Sequence, residues 1–190
     1  MSSIRLFVLD ALARHGEMHG HQLRHLAEQE RVALWTDITV GALYGALKRL
    51  AADGLIAAVR TEQIGGYPER QVWDITRDGR GVLAALREDA LRGIVLRPDP
   101  VDLGLARQDP ERLDEVPGLI ASRLAGLRSM LAEAEGHERT AAPYLTPLEA
   151  RVLGHKHARI AAEIAWHERL LADLPELLAE ETARREHPHD

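Results

Sequence analysis

The 190-residue chain contains no cysteine. That absence excludes a disulfide framework, a thiolate metal site and a cysteine nucleophile, and it fits a reducing compartment. Long apolar runs are missing too. None approaches the ~20 residues that cross a bilayer, and the first residues lack the charged-then-apolar pattern of a secretion signal. A cytoplasmic protein without a membrane partner is therefore expected. No nucleophile elbow, phosphate loop or HExxH occurs, and paired carboxylates such as Glu180-Glu181 read as helix-surface charge. Neither an enzyme nor a cofactor is expected. Positive charge is scarce overall, with a formal net charge of −6. The deficit is uneven. Residues 1–97 hold 13 Lys+Arg against 12 Asp+Glu, a net of +1, whereas residues 98–190 hold 11 against 18, a net of −7. A near-neutral first half with a local basic strip can still attract phosphates, because patches rather than net charge steer association.

What the first half does contain is an unusual amphipathic stretch, TDITVGALYGALKRLAADGLI, over residues 36–56. Thr39 is a good N-cap type, Gly54 is a stop, and Leu43, Leu47 and Leu50 recur at i, i+4 and i+7 beside Ala46 as one buried face. The opposite face carries Gly41, Gly45, Lys48 and Ala52, flanked by Ala42 and Arg49 on one side and Tyr44 on the other. It is smooth at its start and basic at its end. Two glycines on a helix surface cost roughly 0.5–1 kcal/mol each relative to alanine. A helix tolerates that loss when another surface must come close, and a nucleic-acid groove is the natural one.

Around this stretch the periodicity predicts a first helix, capped at Ser2 or Ser3 and ending at Gly16, with Ile4, Leu6, Val8, Leu9 and Leu12 apolar. Met18-His19-Gly20 reads as a turn opening a second helix over about 21–32, with Leu23, Leu26 and Ala27 inward. Residues 33–38 read as a connection in which Trp35 anchors packing. Leu55 to Val59 is a short apolar run, and Arg70 to Ile75 alternates with the period of two of a half-buried strand. A β-hairpin around Gly65-Gly66-Tyr67-Pro68 follows. Thr76 caps a helix to about residue 96, with Val82, Leu83, Leu86, Ala90 and Leu91 on one side. Three helices, a hairpin and a further helix are the order of a winged helix-turn-helix.

Pro98 and Pro100 mark a boundary. Beyond it, Asp109-Pro110-Glu111 opens a short helix, and residues 117–136 read as a helix with Leu119, Ile120, Leu124, Leu127 and Leu131 as its stripe. Thr146 with Glu149 is a capping-box signature for a last helix over 147–174. Its apolar positions include Leu148, Val152, Ile160, Ile164, Leu171 and Leu174, with Trp166 and Leu170 close by, and the tail is expected to fray from about residue 180. Two long helices packed only on each other leave apolar surface uncovered. A second copy is the simplest cover, through Leu124, Leu127, Leu131, Ile160, Ile164, Trp166, Leu170 and Leu171. His21 and His25 sit one helical turn apart, but neither His15 nor His19 supplies an obvious third ligand, so no metal is expected.

Several motifs follow one another in order: Met18-His19-Gly20-His21-Gln22-Leu23, then Gly41-Ala42-Leu43-Tyr44 through Leu47-Lys48-Arg49-Leu50. Asp53-Gly54-Leu55-Ile56 and Trp73-Asp74-Ile75-Thr76, with Gly79 and Leu83, complete the set. Over roughly residues 4–90 this resembles the PadR family of bacterial transcriptional regulators. Glu163-Ile164-Ala165-Trp166 is similar to the family's C-terminal dimerisation helix. The resemblance implies a mainly α fold with a small β-hairpin. It comprises a winged helix-turn-helix DNA-binding domain over 1–97 and an α-helical dimerisation and effector domain over 98–190. It also implies a homodimer on double-stranded operator DNA, usually a repressor, in some members released by a small aromatic compound. The chain departs from the pattern at three places. Ala42 and Gly45 stand where the family commonly has Thr and Pro, His21 replaces an aromatic, and Glu69 precedes Arg70 in a wing that is often more basic.

On this reading the helix over 39–53 enters the major groove. Lys48 and Arg49 bind phosphate or a base edge, Thr39 and Tyr44 bind backbone phosphates, Ala42 flanks the reading face, and Gly41 and Gly45 permit close approach. Arg60, Tyr67 and Arg70 are the wing contacts, and Trp166 and Trp35 the aromatic candidates for an effector pocket at the dimer seam. The plainer readings are a solvated helix face for Lys48 and Arg49, strand-edge decoration for Arg60 and Arg70, and core packing for the tryptophans. A different functional class competes as well, a protein–protein interaction module using the winged domain as its platform.

Overall fold

The structure, a computed structural model, describes residues 3–34, 36–39, 41–63 and 69–186. Helix α1 (Ser3–His15) buries Val8, Leu9, Ala11 and Leu12 and stops at Gly16, whose φ of +76° suits glycine. Strand β1 (Met18–His19) and helix α2 (Gly20–Gln29) follow, then a 3₁₀ turn at Val32–Leu34 and helix α3 (Ala42–Ala52). Strands β2 (Ile56–Glu62) and β3 (Arg70–Ile75) and helix α4 (Arg77–Arg92) complete the first of two compact units, residues 1–96 and 97–190. Its core joins Leu9 and Leu12 of α1, Leu23 of α2, and Leu43 and Leu50 of α3 to Ile56, Ile75 and Leu83. Each such side chain contributes about 1.5–3 kcal/mol by leaving water.

The sheet is antiparallel in the order β1-β3-β2, with Met18 opposite Trp73 and Ile56 opposite Ile75. The turn expected at Met18-His19-Gly20 is thus partly a strand. His19 also caps α2: its Nδ1 accepts from the Gln22 amide at 3.1 Å while Gln22 Oε1 accepts from the His19 amide at 2.9 Å. That helix ends three residues before the predicted Val32, at Gln29, and Arg31 takes a positive φ of 48°. Thr76 caps α4 as expected, accepting from the Gly79 amide at 3.0 Å. Gly79 is there for space, since a Cβ would stand 2.0 Å from the Leu55 carbonyl oxygen. Helix α4 stops at Arg92 rather than 96 because Gly93 turns extended, and Ala90 and Leu91 are exposed instead of packed.

In the second unit, α5 (Pro100–Ala106) was not foreseen; Asp99 caps it, its Oδ1 accepting from the Val101 amide at 2.9 Å. A 3₁₀ turn at Pro110–Glu115 leads to α6 (Val116–Ala141), and a second at Ala142–Tyr144 leads to α7 (Pro147–Glu186). The expected box is formed, with Glu149 Oε2 accepting from the Thr146 amide at 2.8 Å and Thr146 Oγ1 accepting from the Glu149 amide at 3.3 Å. Helix α7 then continues past the expected end at Leu174, carrying Pro175 inside it, so the predicted fraying from 180 gives way to helix through Glu186. Burial of Leu174 and packing of Leu178 reward that continuation. α6 and α7 run antiparallel: Glu138 meets His157 near the turn, and Arg123 meets His167 farther along. The core is thin, built on Val116, Ile120 and Leu174 with Val101, Leu105, Leu170, Leu171 and Leu178 against them.

Candidate nucleic-acid interface

α3 buries Leu43, Ala46, Leu47 and Leu50 and turns the rest of its surface outward. Gly41, Ala42, Tyr44, Lys48, Arg49 and Ala52 are exposed and Gly45 half-exposed, so the predicted smooth-to-basic face exists as one helix surface. Its start is different from the expectation. Thr39 is not the cap; Gly41 occupies that position without a side-chain bond, and Thr39 contributes only its carbonyl, which accepts from the Ala42 amide at 3.0 Å. The helix therefore begins at Ala42, later than expected, and the Thr39 hydroxyl is not its cap.

The glycines of this face are not demanded by internal packing. A Cβ at Gly41 meets nothing within 4 Å, and one at Gly45 meets only the Arg49 guanidinium, at 3.3 Å. That second contact places the Arg49 head group back over Gly45, on the outward surface. Six other arginines of the unit are committed to carboxylates: Arg5 to Asp53, Arg14 and Arg87 to Asp10, Arg24 to Glu28, Arg60 to Glu17 and Glu62, and Arg92 to Glu88. Lys48 and Arg49 have no such partner among the described residues. Gly20 is the reverse case. A Cβ there would stand 2.7 Å from the Tyr44 ring, so glycine at the start of α2 lets that ring lie across it. The sequence carried no sign of this role beyond the glycine itself.

The wing adds less than expected. Arg60 follows a bulge between Ala58 and Arg60, and its guanidinium is held by Glu17 and by Glu62, at 2.7 Å from Nε to the latter. A phosphate would have to displace two carboxylates. Arg70 is half-buried opposite Glu62 and also has a partner, while Tyr67 lies outside the described residues.

In the second unit, Trp166 is 37% exposed and sets its ring edge-on to His167, 4.8 Å between centroids. Trp35 lies outside the described residues. His167 is fully buried, its Nδ1–H donating to the Glu163 carbonyl at 2.7 Å and its Nε2 accepting from Arg123 Nε at 2.9 Å. Arg123 reaches Asp99 with its other arm at 2.5 Å. The Val101 amide, together with Arg123, holds the Asp99 carboxyl below the ordinary carboxylate range against the opposing effect of desolvation. Sequence reading missed this relay, whose three members lie on α7, α6 and the start of α5. Of the eight residues marked for dimerisation, Leu124 and Ile160 are already buried within the chain. Leu127, Leu131, Ile164, Leu170 and Leu171 are half-buried, and Leu119, Met130, Leu148, Val152 and Leu177 are further exposed apolar positions on the same two helices.

Residues 8–85, from within α1 to within α4, fit the model of the transcriptional regulator PadR-like family. The first unit is a PadR-like domain. Solved structures extend the likeness of fold beyond that domain. Bacillus subtilis PadR in complex with operator DNA is 21% identical with a TM-score of 0.64, covering 91% of this chain and 99% of that one. The same protein in complex with p-coumaric acid is 22% identical, TM-score 0.64, covering 92% and 99%. The PadR-like transcriptional regulator BC1756 from Bacillus cereus is 18% identical, TM-score 0.62, covering 91% and 98%. No curated protein matches the chain significantly. In the PadR-like domain matched here, α3 and its outward face lie wholly inside residues 8–85.

Proposed function

We propose that the chain is a cytoplasmic, homodimeric transcriptional regulator that binds a near-palindromic operator through α3 and acts as a repressor. The observation that carries this reading is the outward face of α3. Its two glycines are free of internal packing demand, and it ends in Lys48 and Arg49, which no carboxylate among the described residues engages. Such a surface suits a major groove, where phosphates attract the cations and base edges are read at close range. The PadR-like domain and the operator complex of the Bacillus subtilis relative support the same assignment. A second copy would cover the apolar surface left on α6 and α7, and two-fold symmetry then asks for half-sites about one helical turn apart. A small aromatic effector near Trp166 would lower operator affinity by favouring a different separation of the two wings; the p-coumaric acid complex of the relative supports that class of ligand. Selection of duplexes from a random pool by the full chain tests the reading. The expected product is a palindromic consensus, and recovery of no enriched sequence sinks it.

A further inference from the structure

On the outward surface of α3, Tyr44 has a fixed ring and a free hydroxyl. The ring edge lies over the backbone of Gly20, where a Cβ would stand 2.7 Å from its Cε1 and 3.2 Å from its Cδ1. The same Cβ would be 3.3 Å from Cδ1 of Leu47, which is buried and cannot give way freely. Glycine alone keeps that slot between α2 and α3 open. A helical tyrosine otherwise chooses between two χ1 rotamers, roughly 180° and −60°, and the slot selects one of them. Tyr44 is nevertheless 49% exposed. Its hydroxyl has no hydrogen-bond partner among the described residues, and neither has Lys48, one turn further along the same row of α3. The free side of the ring borders an open groove with His21, Glu69 and Arg70 on its rim, so a partner can reach it. A held phenol O–H followed by an unengaged cation suits the phosphates of a nucleic-acid backbone.

We propose that Gly20 is a positioning residue for DNA binding: its missing side chain seats the Tyr44 ring so that the hydroxyl meets a backbone phosphate in a preset orientation. The proposal rests on the DNA-binding function given above. Gly20 itself touches no DNA. Its contribution is entropic, because a side chain already confined to one rotamer loses little freedom on docking, whereas a free one must be ordered when the duplex arrives. This role is separate from that of Gly41 and Gly45, which lie on the reading face and make room for the duplex.

A double-mutant cycle in the full chain tests this, read by anisotropy of the selected duplex over a salt series and by thermal melts. Tyr44→Phe keeps the seated ring and removes only the hydroxyl. It should bind about tenfold weaker with an unchanged melt, the loss of one hydrogen bond to a charged group. Gly20→Ala displaces the ring and should weaken binding by about tenfold or more. Its salt slope should equal the parent's, because no cation is lost. In a Tyr44→Ala background the same substitution should change affinity by less than about twofold, since no ring remains to be placed. If Gly20 merely set the angle between α2 and α3, its loss would weaken binding in both backgrounds, and that result overturns the proposal. Parent-like affinity of Gly20→Ala, or of Tyr44→Phe, overturns it as well. Should Gly20→Ala fail to fold, Tyr44→Phe still decides whether the seated hydroxyl meets the duplex. A parent chain that binds no duplex is the failure of the DNA reading itself, and the positioning role falls with it.

Discussion

Gly45→Ala separates what the fold wants from what a DNA partner wants. Gly45 is interior to α3, so alanine should stabilise the helix by about 0.5–1 kcal/mol. The new methyl meets only the Arg49 guanidinium at 3.3 Å, the far end of a flexible side chain, which swings aside at little cost. For a domain of this size the melting temperature should therefore rise by roughly 2–8 °C. DNA affinity should move the other way, because the methyl thickens the reading face and displaces Arg49; loss of one such contact is worth about 1–3 kcal/mol, or roughly 5- to 150-fold. Gly41→Ala sharpens the test, since its Cβ meets nothing within 4 Å and any loss of binding must come from the duplex. The assays are a thermal melt by circular dichroism and anisotropy of a labelled selected duplex. Variants that are more stable and bind as tightly as the parent refute the claim that these glycines serve close approach.

Other substitutions probe separate parts of the account. Gly79→Ala should cost about 3 kcal/mol or more, because its methyl would sit 2.0 Å from the Leu55 carbonyl, and a melt within a degree or two of the parent contradicts that packing. Joint replacement of Glu17 and Glu62 by Gln should leave stability nearly unchanged, the ion pairs being exposed. It should raise affinity for DNA a few-fold by releasing Arg60; unchanged affinity would mean that Arg60 does not reach the duplex. Asp99→Asn keeps an acceptor for the Val101 amide and removes the charge facing Arg123. Since the folded carboxyl titrates below its ordinary value, its contribution exists above that value and fades as pH falls through the folded one. The variant should melt lower than the parent at neutral pH, with the gap closing only once the pH has fallen below the ordinary carboxylate range; a gap that stays constant into strong acid contradicts the role given to the charge.

Periodicity was enough to read α3, since Leu43, Leu47 and Leu50 form an unbroken stripe whose burial also dictates what faces out. The Thr76 cap and the Thr146–Glu149 box were legible because both are local, three residues across. What escaped was decided at a distance. Two residues cannot show a strand period, so β1 exists only through its pairing with β3. Pro175 reads as a stop from local chemistry, yet the burial of Leu174 and the packing of Leu178 carry α7 through it. The site divided the same way. The α3 face could be drawn from sequence, but the engagement of Arg60 by Glu17, 43 residues away, could not, nor could the relay through Asp99, Arg123 and His167. Helical stripes alone also cannot tell Leu124 and Ile160, spent inside the chain, from Leu119 and Met130, which remain exposed.

The most direct test of DNA binding by α3 is the salt dependence of affinity for the selected duplex, measured for the parent and for Lys48→Ala/Arg49→Ala. If both side chains neutralise phosphates, the slope of log affinity against log salt becomes shallower by about two and binding weakens at every salt concentration. A double variant with the parent's affinity and slope would contradict the account, because the only two cations of that face would then be bystanders.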